Sequence, residues 1–282
     1  RSKSGVWLRN GMLILQFTIA SFFIIGSYIV HEQVNYMMNK DLGFNGKQVI
    51  RIPFNYKMKD KKLEGYETTK LEIKKIKGVE QVSTFEGSFG GGTNSSSSFS
   101  HKGFTVQGHN VNMDYGFLDM MKIKVILGRD FSSQFASDTI NSMLLNETCV
   151  KTLNIKNPIN TIITSGWGDG IHDEPLKFKI VGVVKDFNIT GLENKIPPMV
   201  FTHIKTLKRL NFHNVYVKVN TEDLKETLEK LESYWKKNVD NDYPFEYEFV
   251  DKGFAKTYSN QIKQRNLFSL LNVVVILIAL FG

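Results

Sequence analysis

Few residues in this 282-residue chain have the types and spacing that chemistry needs. A phosphate-binding loop requires G-x-x-x-x-G-K-[ST] between a strand and a helix, so that backbone N–H groups and the lysine can cradle phosphates. Here Gly46-Lys47 is followed by Gln48, and Asp41 stands where the first glycine belongs. Gly90-Gly91-Gly92 lacks the strand-turn-helix setting of a dinucleotide site and reads as the tip of a flexible loop that runs on through Ser95 to Ser98. For a metal, His172-Asp173-Glu174 is the one compact ligand-like cluster, and His101 with His109 the one histidine pair at modest spacing. Neither has the spacing of a known ligand set. The cluster lies between Gly170 and Pro175, so a polar turn explains it more simply. No serine sits in a G-x-S-x-G elbow, Cys149 has no nucleophile signature around it, and Asp240 and Asp242 are merely close in sequence. The expectation is a chain with no catalytic residues, no cofactor and no metal, and hence not an enzyme.

What the chain does carry is patterning. Gly11 to Val30 is a run of twenty residues without a charge. At about 1.5 Å per residue, a helix of that length covers roughly the 30 Å hydrocarbon core of a bilayer. Its eleven Leu, Ile, Phe and Val side chains sum to roughly −3 to −7 kcal/mol of insertion energy, enough to outweigh Gln16, Thr18, Ser21 and Ser27. A signal peptide would have a shorter apolar core and a small-residue cleavage site, whereas here His31-Glu32-Gln33 follows. Leu267 to Gly282 is a second charge-free run, with only Ser269 and Asn272 polar. It stops short of full span length, so the sequence reads as a fragment cut within that helix. Arg1, Lys3 and Arg9 flank the first run without an acidic neighbour, which places that end in the cytoplasm and everything between the runs outside it. Lys256, Lys263 and Arg265 before the second run pull the other way.

The mean hydropathy of −0.20 averages these apolar runs with a polar middle. Of the formal net charge of +8, three belong to the basic flank. Lys57 to Lys62 has no aromatic platform beyond Tyr56, so nucleic acid is not an expected partner. The single Cys149 forms no internal disulfide, and packing alone must hold the middle together.

Both runs continue as amphipathic helices. Val34, Met37, Met38 and Leu42 extend an apolar stripe beyond the first run, with Gly43 as a helix C-cap. Phe254, Tyr258 and Ile262 fall at i, i+4 and i+8 before the second. Val34, Met37, Met38, Phe254, Tyr258 and Ile262 are therefore the candidate faces of a paired stalk, spanning residues 31–46 and 251–266. Between the stalk helices, Gln48 to Phe54 and Val79 to Phe85 read as strands around a helix built on Leu63, Tyr66, Leu71, Ile73 and Ile76. His213 to Val219, a helix through Leu224, Leu228, Leu231 and Trp235, and Phe245 to Val250 repeat that order. Two β-α-β units at 47–86 and 209–250 predict one α+β subdomain with a split sandwich. The stretch 87–208 predicts an inserted, mainly β subdomain, with strands near Phe104 to Gly108, Ser142 to Asn146 and Phe178 to Val184 and helices near Tyr115 to Met121 and Glu147 to Leu153.

Several short motifs occur in a telling order: Leu8-Arg9-Asn10-Gly11 with Gln16-Phe17, then Asn39 to Phe44, Gly128-Arg129-Asp130-Phe131, Leu145-Asn146-Glu147 and Ile180 to Phe187. In wording and order the chain resembles FtsX-like permeases of MacB-type ABC transporters, over essentially its whole length. The resemblance implies a periplasmic core domain between the first two helices of a four-helix membrane unit in the bacterial inner membrane, divided into a porter-like and an inserted subdomain. It implies a separate cytoplasmic ABC ATPase, a homodimer or pseudo-dimer of permease units, contact with membrane lipid, and a periplasmic or outer-membrane partner. The implied action is transmission of ATP-driven movement through the stalk to export or extract a substrate. The same plan of span, outer domain and span also fits the ectodomain of a two-span receptor or sensor kinase, or a membrane-anchored binding domain.

Overall fold

The computed structural model describes residues 3–54, 62–93, 95–168, 175–206, 213–239 and 244–281. The chain divides into a helical unit, Arg1–Asp41 with Ala255–Gly282, and a β-rich unit, Leu42–Phe254.

In the helical unit, α1 runs without interruption over Lys3–Asn39. That is about 55 Å of helix, far more than a hydrocarbon core needs. The second helix, Ser259–Phe281, packs along α1, and Gln16 Nε2 donates to the Ile278 carbonyl at 2.7 Å. Both helices are long and apolar enough to cross a membrane. Phe17, Phe22 and Leu270 are more than half exposed, as side chains facing lipid would be. The span hydroxyls of Thr18 and Ser269 bond back to the carbonyls of Ile14 and Arg265, so neither is left unsatisfied where water is absent. Among the less exposed positions of α1, Ala20, Phe23, Ser27, Val30, Val34 and Met37 recur at alternating spacings of three and four. This is the seam of a helix that packs on a partner along its length. The expected stalk helix to residue 46 ends earlier, at Asn39, and Gly43 does not cap it.

The β-rich unit holds two sheets. The smaller has strand order β11-β1-β10-β2, where β1 is Val49–Pro53, β2 Val79–Ser83, β10 Asn214–Val219 and β11 Glu248–Phe249. Each neighbouring pair is antiparallel, so β1 and β2 run parallel with β10 between them. This is the split β-α-β arrangement predicted from the pattern. Its core sets Ile50, Ile52, Val215, Val217 and Val219 of the sheet against Tyr66 and Ile73 of α2 (Lys62–Ile73) and Leu231 and Trp235 of α5 (Leu224–Asn238). Leu71, expected on the buried stripe of α2, is 63% exposed. Five residues past Tyr66 it is rotated by about 140°, whereas Ile73, seven past, returns to the same face. The last strand is also shorter than expected: only Glu248–Phe249 pair, and Tyr247 lies open at the edge.

The larger sheet is assembled from β3 (Ser96–His101), β4 (Phe104–Met113), β5 (Val125–Gly128), β6 (Ser142–Asn146), β7 (Ile162–Gly168), β8 (Pro175–Val184) and β9 (Met199–His203). Its order is β5-β8-β6-β9-β4-β3-β7, and β7 pairs back onto β8, so six strands close into a small barrel. The N-terminal part of β8 pairs with β7 and the C-terminal part with β5. Closure removes strand edges that would otherwise recruit other chains. Phe99, Val106, Met143, Leu145, Ile163, Phe178, Ile180 and Val200, one or more from each barrel strand, form the core with Cys149 and Leu153 from α4 (Glu147–Thr152) and the residue after it. Ser96–Ser98, read as a flexible loop, belong to β3 instead. On this strand serines can take the remaining positions because Phe99, paired with Val106 of β4, supplies its core contact.

Candidate coupling junction

The residues weighed for chemistry do not converge. His101 and His109 pair with Phe104 and Ser96, at opposite ends of the β3-β4 hairpin, and each has its own partner: the Ile162 carbonyl and Thr93 Oγ1. Among the described residues no three His, Cys, Asp or Glu side chains gather as a metal site would require. His172-Asp173-Glu174, Asp240 and Asp242 lie outside the described residues. Cys149 is fully buried, and burial, with Asp186 adding to it, pushes its thiol up to about 12, which makes it unreactive. Gly90 to Gly92 close a tight turn bonded between Ser88 and Gly92 and held by Gly90 N–H to the Ile189 carbonyl.

What converges is the set of short motifs from Leu42 onward. Asn188 N–H donates to the Leu42 carbonyl at 2.8 Å, and Asn45 N–H to the Met121 carbonyl at 2.7 Å. Gly43 has a φ of +84°, and a Cβ there would come within 2.9 Å of Asp186 O and Phe187 Cβ. The glycine thus serves a close backbone approach in a conformation that other residues rarely adopt. Glu147 accepts from Asp186 N–H at 2.9 Å, and Asp186 accepts from Thr148 N–H and Oγ1 at 3.1 and 2.7 Å. Asn146 Oδ1 caps α4 at Cys149 N–H and also accepts from Met199 N–H, while its Nδ2 donates to the Pro197 carbonyl. Gly128 and Gly182 let the β5 turn lie against β8, and Arg129 grips Asp138 with both guanidinium nitrogens at 2.5 and 2.9 Å.

Aromatic rings lead inward from this junction. Phe44, just past the helical unit, meets Phe254, the last residue before the chain returns to it, edge to face at 5.4 Å. Phe44 also lies 4.4 Å from Phe89. Phe89 contacts Tyr216 of β10 at 6.3 Å and Phe187 at 6.5 Å, and Phe187 stacks on Phe201 of β9 at 6.1 Å. Both chain crossings therefore connect, ring to ring, with both sheets. Of the candidate stalk residues, Val34, Met37, Phe254 and Tyr258 are buried, Ile262 is partly buried, and Met38 is 47% exposed. The ring path was invisible in the sequence because Phe44, Phe89, Phe187 and Phe201 lie on loops and strands far apart along the chain.

A second cluster braces the two sheets. Asp114, just past β4, accepts from Tyr66 Oη at 2.7 Å and Lys70 Nζ at 2.6 Å, both on α2. Its other oxygen accepts from Tyr115 N–H at 2.7 Å and His203 Nε2 at 3.2 Å. His203 Nδ1 accepts from Lys205 N–H, which leaves Nε2 as the donor to the carboxylate. Lys205 also pairs with Glu67 of α2.

One carboxyl in the motif turn behaves oppositely to the rest. Burial pushes Asp130 up to about 6, helped by Asp138 and Asp119 and opposed by Phe131 N–H and Arg129. A carboxyl raised in the folded state stabilises least when ionised, so its contribution falls as pH rises from about 4 to 6. Asp130→Asn, which keeps the acceptor for Phe131 N–H, should raise unfolding stability by about 1–2 kcal/mol at pH 7.5 and change nothing below about pH 4. Thermal melts in detergent at the two pH values test this, and an equal effect at both would remove the titration argument.

The family described as "MacB-like periplasmic core domain" matches residues 12–234. No curated protein matches the sequence. Among solved structures, the periplasmic region of MacB from Actinobacillus actinomycetemcomitans is similar at a TM-score of 0.54 and 14% identity, over 79% of this chain and 98% of that one. The extracellular domain of the noncanonic ABC-type transporter YknZ from Gram-positive bacteria is similar at 0.50 and 15%, over 71% and 98%. At these identities the likeness is one of fold. The family match covers most of the chain, including most of the first apolar helix, three strands of the split sheet and the closed barrel, and this chain therefore belongs to the MacB-like periplasmic core domain family.

Proposed function

We propose that the chain is part of an ABC-transporter permease that carries movement from cytoplasmic ATPases into a periplasmic domain, which exports or extracts a substrate. The β-rich unit is then the periplasmic domain, with 47–86 and 209–250 as its porter-like part and 87–208 as the inserted part. The protein hydrolyses nothing itself, and a separate ABC ATPase supplies the work. A second permease unit and a periplasmic or outer-membrane partner complete the assembly in the bacterial inner membrane. One observation carries this reading: Phe44 and Phe254, at the two places where the chain passes to and from the helical unit, touch each other and start the ring path into both sheets. A displacement applied at either crossing reaches the domain core through packed, close to incompressible contacts.

The stalk faces assigned to the coupling are Val34, Met37, Met38, Phe254, Tyr258 and Ile262. Met37→Asp, in the reconstituted complex with its ATPase, should leave expression and ATP hydrolysis intact while transport per ATP falls about tenfold, equivalent to about 1.4 kcal/mol of lost coupling. Transport equal to that of the unsubstituted protein would remove the stalk from the proposal.

A further inference from the structure

The brace between the two sheets holds one ring whose further protonation its own hydrogen bonds oppose. His203, the last residue of β9, is fully buried. Its Nδ1 accepts from Lys205 N–H at 3.2 Å, and its Nε2 lies 3.2 Å from Asp114 Oδ1. A backbone N–H can only donate, so the ring carries its one proton on Nε2 and both nitrogens are engaged. A second proton would go to Nδ1 and set two donors face to face, which costs Lys205 N–H its acceptor.

That N–H belongs to a turn held by few other bonds. Thr206 N–H closes it on the His203 carbonyl at 2.9 Å, and Thr206 Oγ1 donates to the Asp138 carbonyl at 3.4 Å. From the turn, Lys205 Nζ pairs with Glu67 of α2. Their side chains are 39% and 45% exposed, so the pair contributes little unless the backbone places it. Charges around the ring come from every side. On the segment after β4, Asp114 pairs with Lys70 of α2 and accepts from Tyr66 Oη, and the ring of Tyr115 lies 4.1 Å from that of His203. On the loop after β5, Asp138 pairs with Arg129, and Asp130 adjoins Phe131, whose ring is 6.2 Å from His203. A cation at His203 would strengthen the bond to Asp114 and repel Lys70, which shares that carboxylate.

We propose that His203 is a proton-operated switch in the brace. On taking up a proton from solvent, the ring keeps Asp114 and releases Lys205 N–H, and the turn from His203 to Thr206 opens. The two ionic holds on α2, Lys205 to Glu67 and Asp114 to Lys70, weaken together. Acid thus loosens α2 on the barrel, while Tyr66 Oη stays on Asp114. The switch lies wholly within the β-rich unit, so its failure would leave the permease reading untouched.

The test is amide hydrogen exchange of the full chain in detergent micelles at about pH 7.5 and about pH 5.5, within the range where histidine changes charge, with labelling times scaled to the chemical exchange rate at each pH. Protection of the Lys205 and Thr206 amides should be about tenfold lower at the acid pH, while that of Leu144 and Leu145 in β6 stays unchanged. Asp130→Asn removes the carboxyl that burial brings into the same range and should keep the loss. His203→Gln, which keeps a donor for Asp114 but takes up no proton, should abolish it. Imidazole nitrogen-15 shifts of the unsubstituted chain should show His203 Nδ1 passing from bare acceptor to protonated over the same range, and they decide the matter if His203→Gln does not fold. Equal protection at the two pH values, an equal loss in His203→Gln, or a His203 ring that stays neutral throughout overturns the proposal.

Discussion

Asp114→Ala should lower the thermal midpoint of the β-rich unit by on the order of 10 °C. Asp114 is 5% exposed and takes four hydrogen bonds, three of them from Tyr66, Lys70 and His203. Burial alone would push its carboxyl up. The His203 hydrogen bond, the charge and hydrogen bond of Lys70 and the Tyr66 hydroxyl outweigh that and hold it well below the ordinary carboxylate range. Removing one partner of such a pair costs about 3–5 kcal/mol, because the remaining charge and donors stay buried without compensation. At about 2–4 °C per kcal/mol for a unit of this size, the midpoint falls accordingly. Asp114→Asn, which keeps one acceptor oxygen but no charge, should lose less. Adding Lys70→Met to it should restore part of the loss, since the uncompensated ammonium is gone. The sign with pH also follows. A depressed carboxyl contributes its stability above the unfolded value near 3.9 and loses it as pH falls below that, so the difference between the unsubstituted protein and Asp114→Asn should shrink only in acid. Near-ultraviolet circular dichroism melts at pH 7 and pH 3 measure both effects. A shift of under 2 °C at pH 7 would show that the brace does not hold the two sheets together.

Gly182→Ala should cost about 3 kcal/mol, although it adds a single methyl group to a strand. A Cβ there would lie 2.6 Å from Leu144 Cδ2 and overlap Arg129 O, a backbone atom that cannot move without carrying the whole β5 turn. Gly128→Ala meets the same obstacle from the other side, 2.6 Å from Ile159 Cδ1 and 3.0 Å from Gly182 Cα, and adds the strain of a φ of +71°. Because both substitutions push apart one contact, the double variant should cost little more than the worse single one. Chemical denaturation of the four proteins gives the cycle. Full additivity would mean that the two glycines do not share an approach, and that β5 is held to β8 by its ladder alone.

The glycine substitutions fall on residues whose motif character the sequence displayed without disclosing the reason for it. Gly43, Gly128 and Gly182 were legible as parts of short motifs, yet the need for glycine comes from backbone of distant segments: Asp186-Phe187, Val181-Gly182 and Arg129. Asp114 and His203, separated by eighty-nine residues, gave no signal at all. Neither belongs to a spaced motif, and a buried hydrogen-bonded pair has no period.

The sequence by itself determined the parts whose physics is local. A charge-free run must become a helix in lipid because every backbone group needs a partner there. Alternation and helical spacing fixed the split sheet, its two covering helices and the α+β class. The absence of a phosphate loop, an elbow or a ligand spacing turned the reading away from chemistry, and the expectation of transmitted movement came from the family that the short motifs resemble. Only the tertiary structure decided that β7 returns to β8 to close a barrel, that Ser96–Ser98 are strand and not loop, and that Phe44 meets Phe254. Those outcomes depend on which surfaces find each other in the folded chain: β8 pairs with β5, β6 and β7, and Phe44 meets Phe254 from the other end of the β-rich unit. The free energy that selects them lies in burial and register between segments, which the local pattern of one segment does not contain.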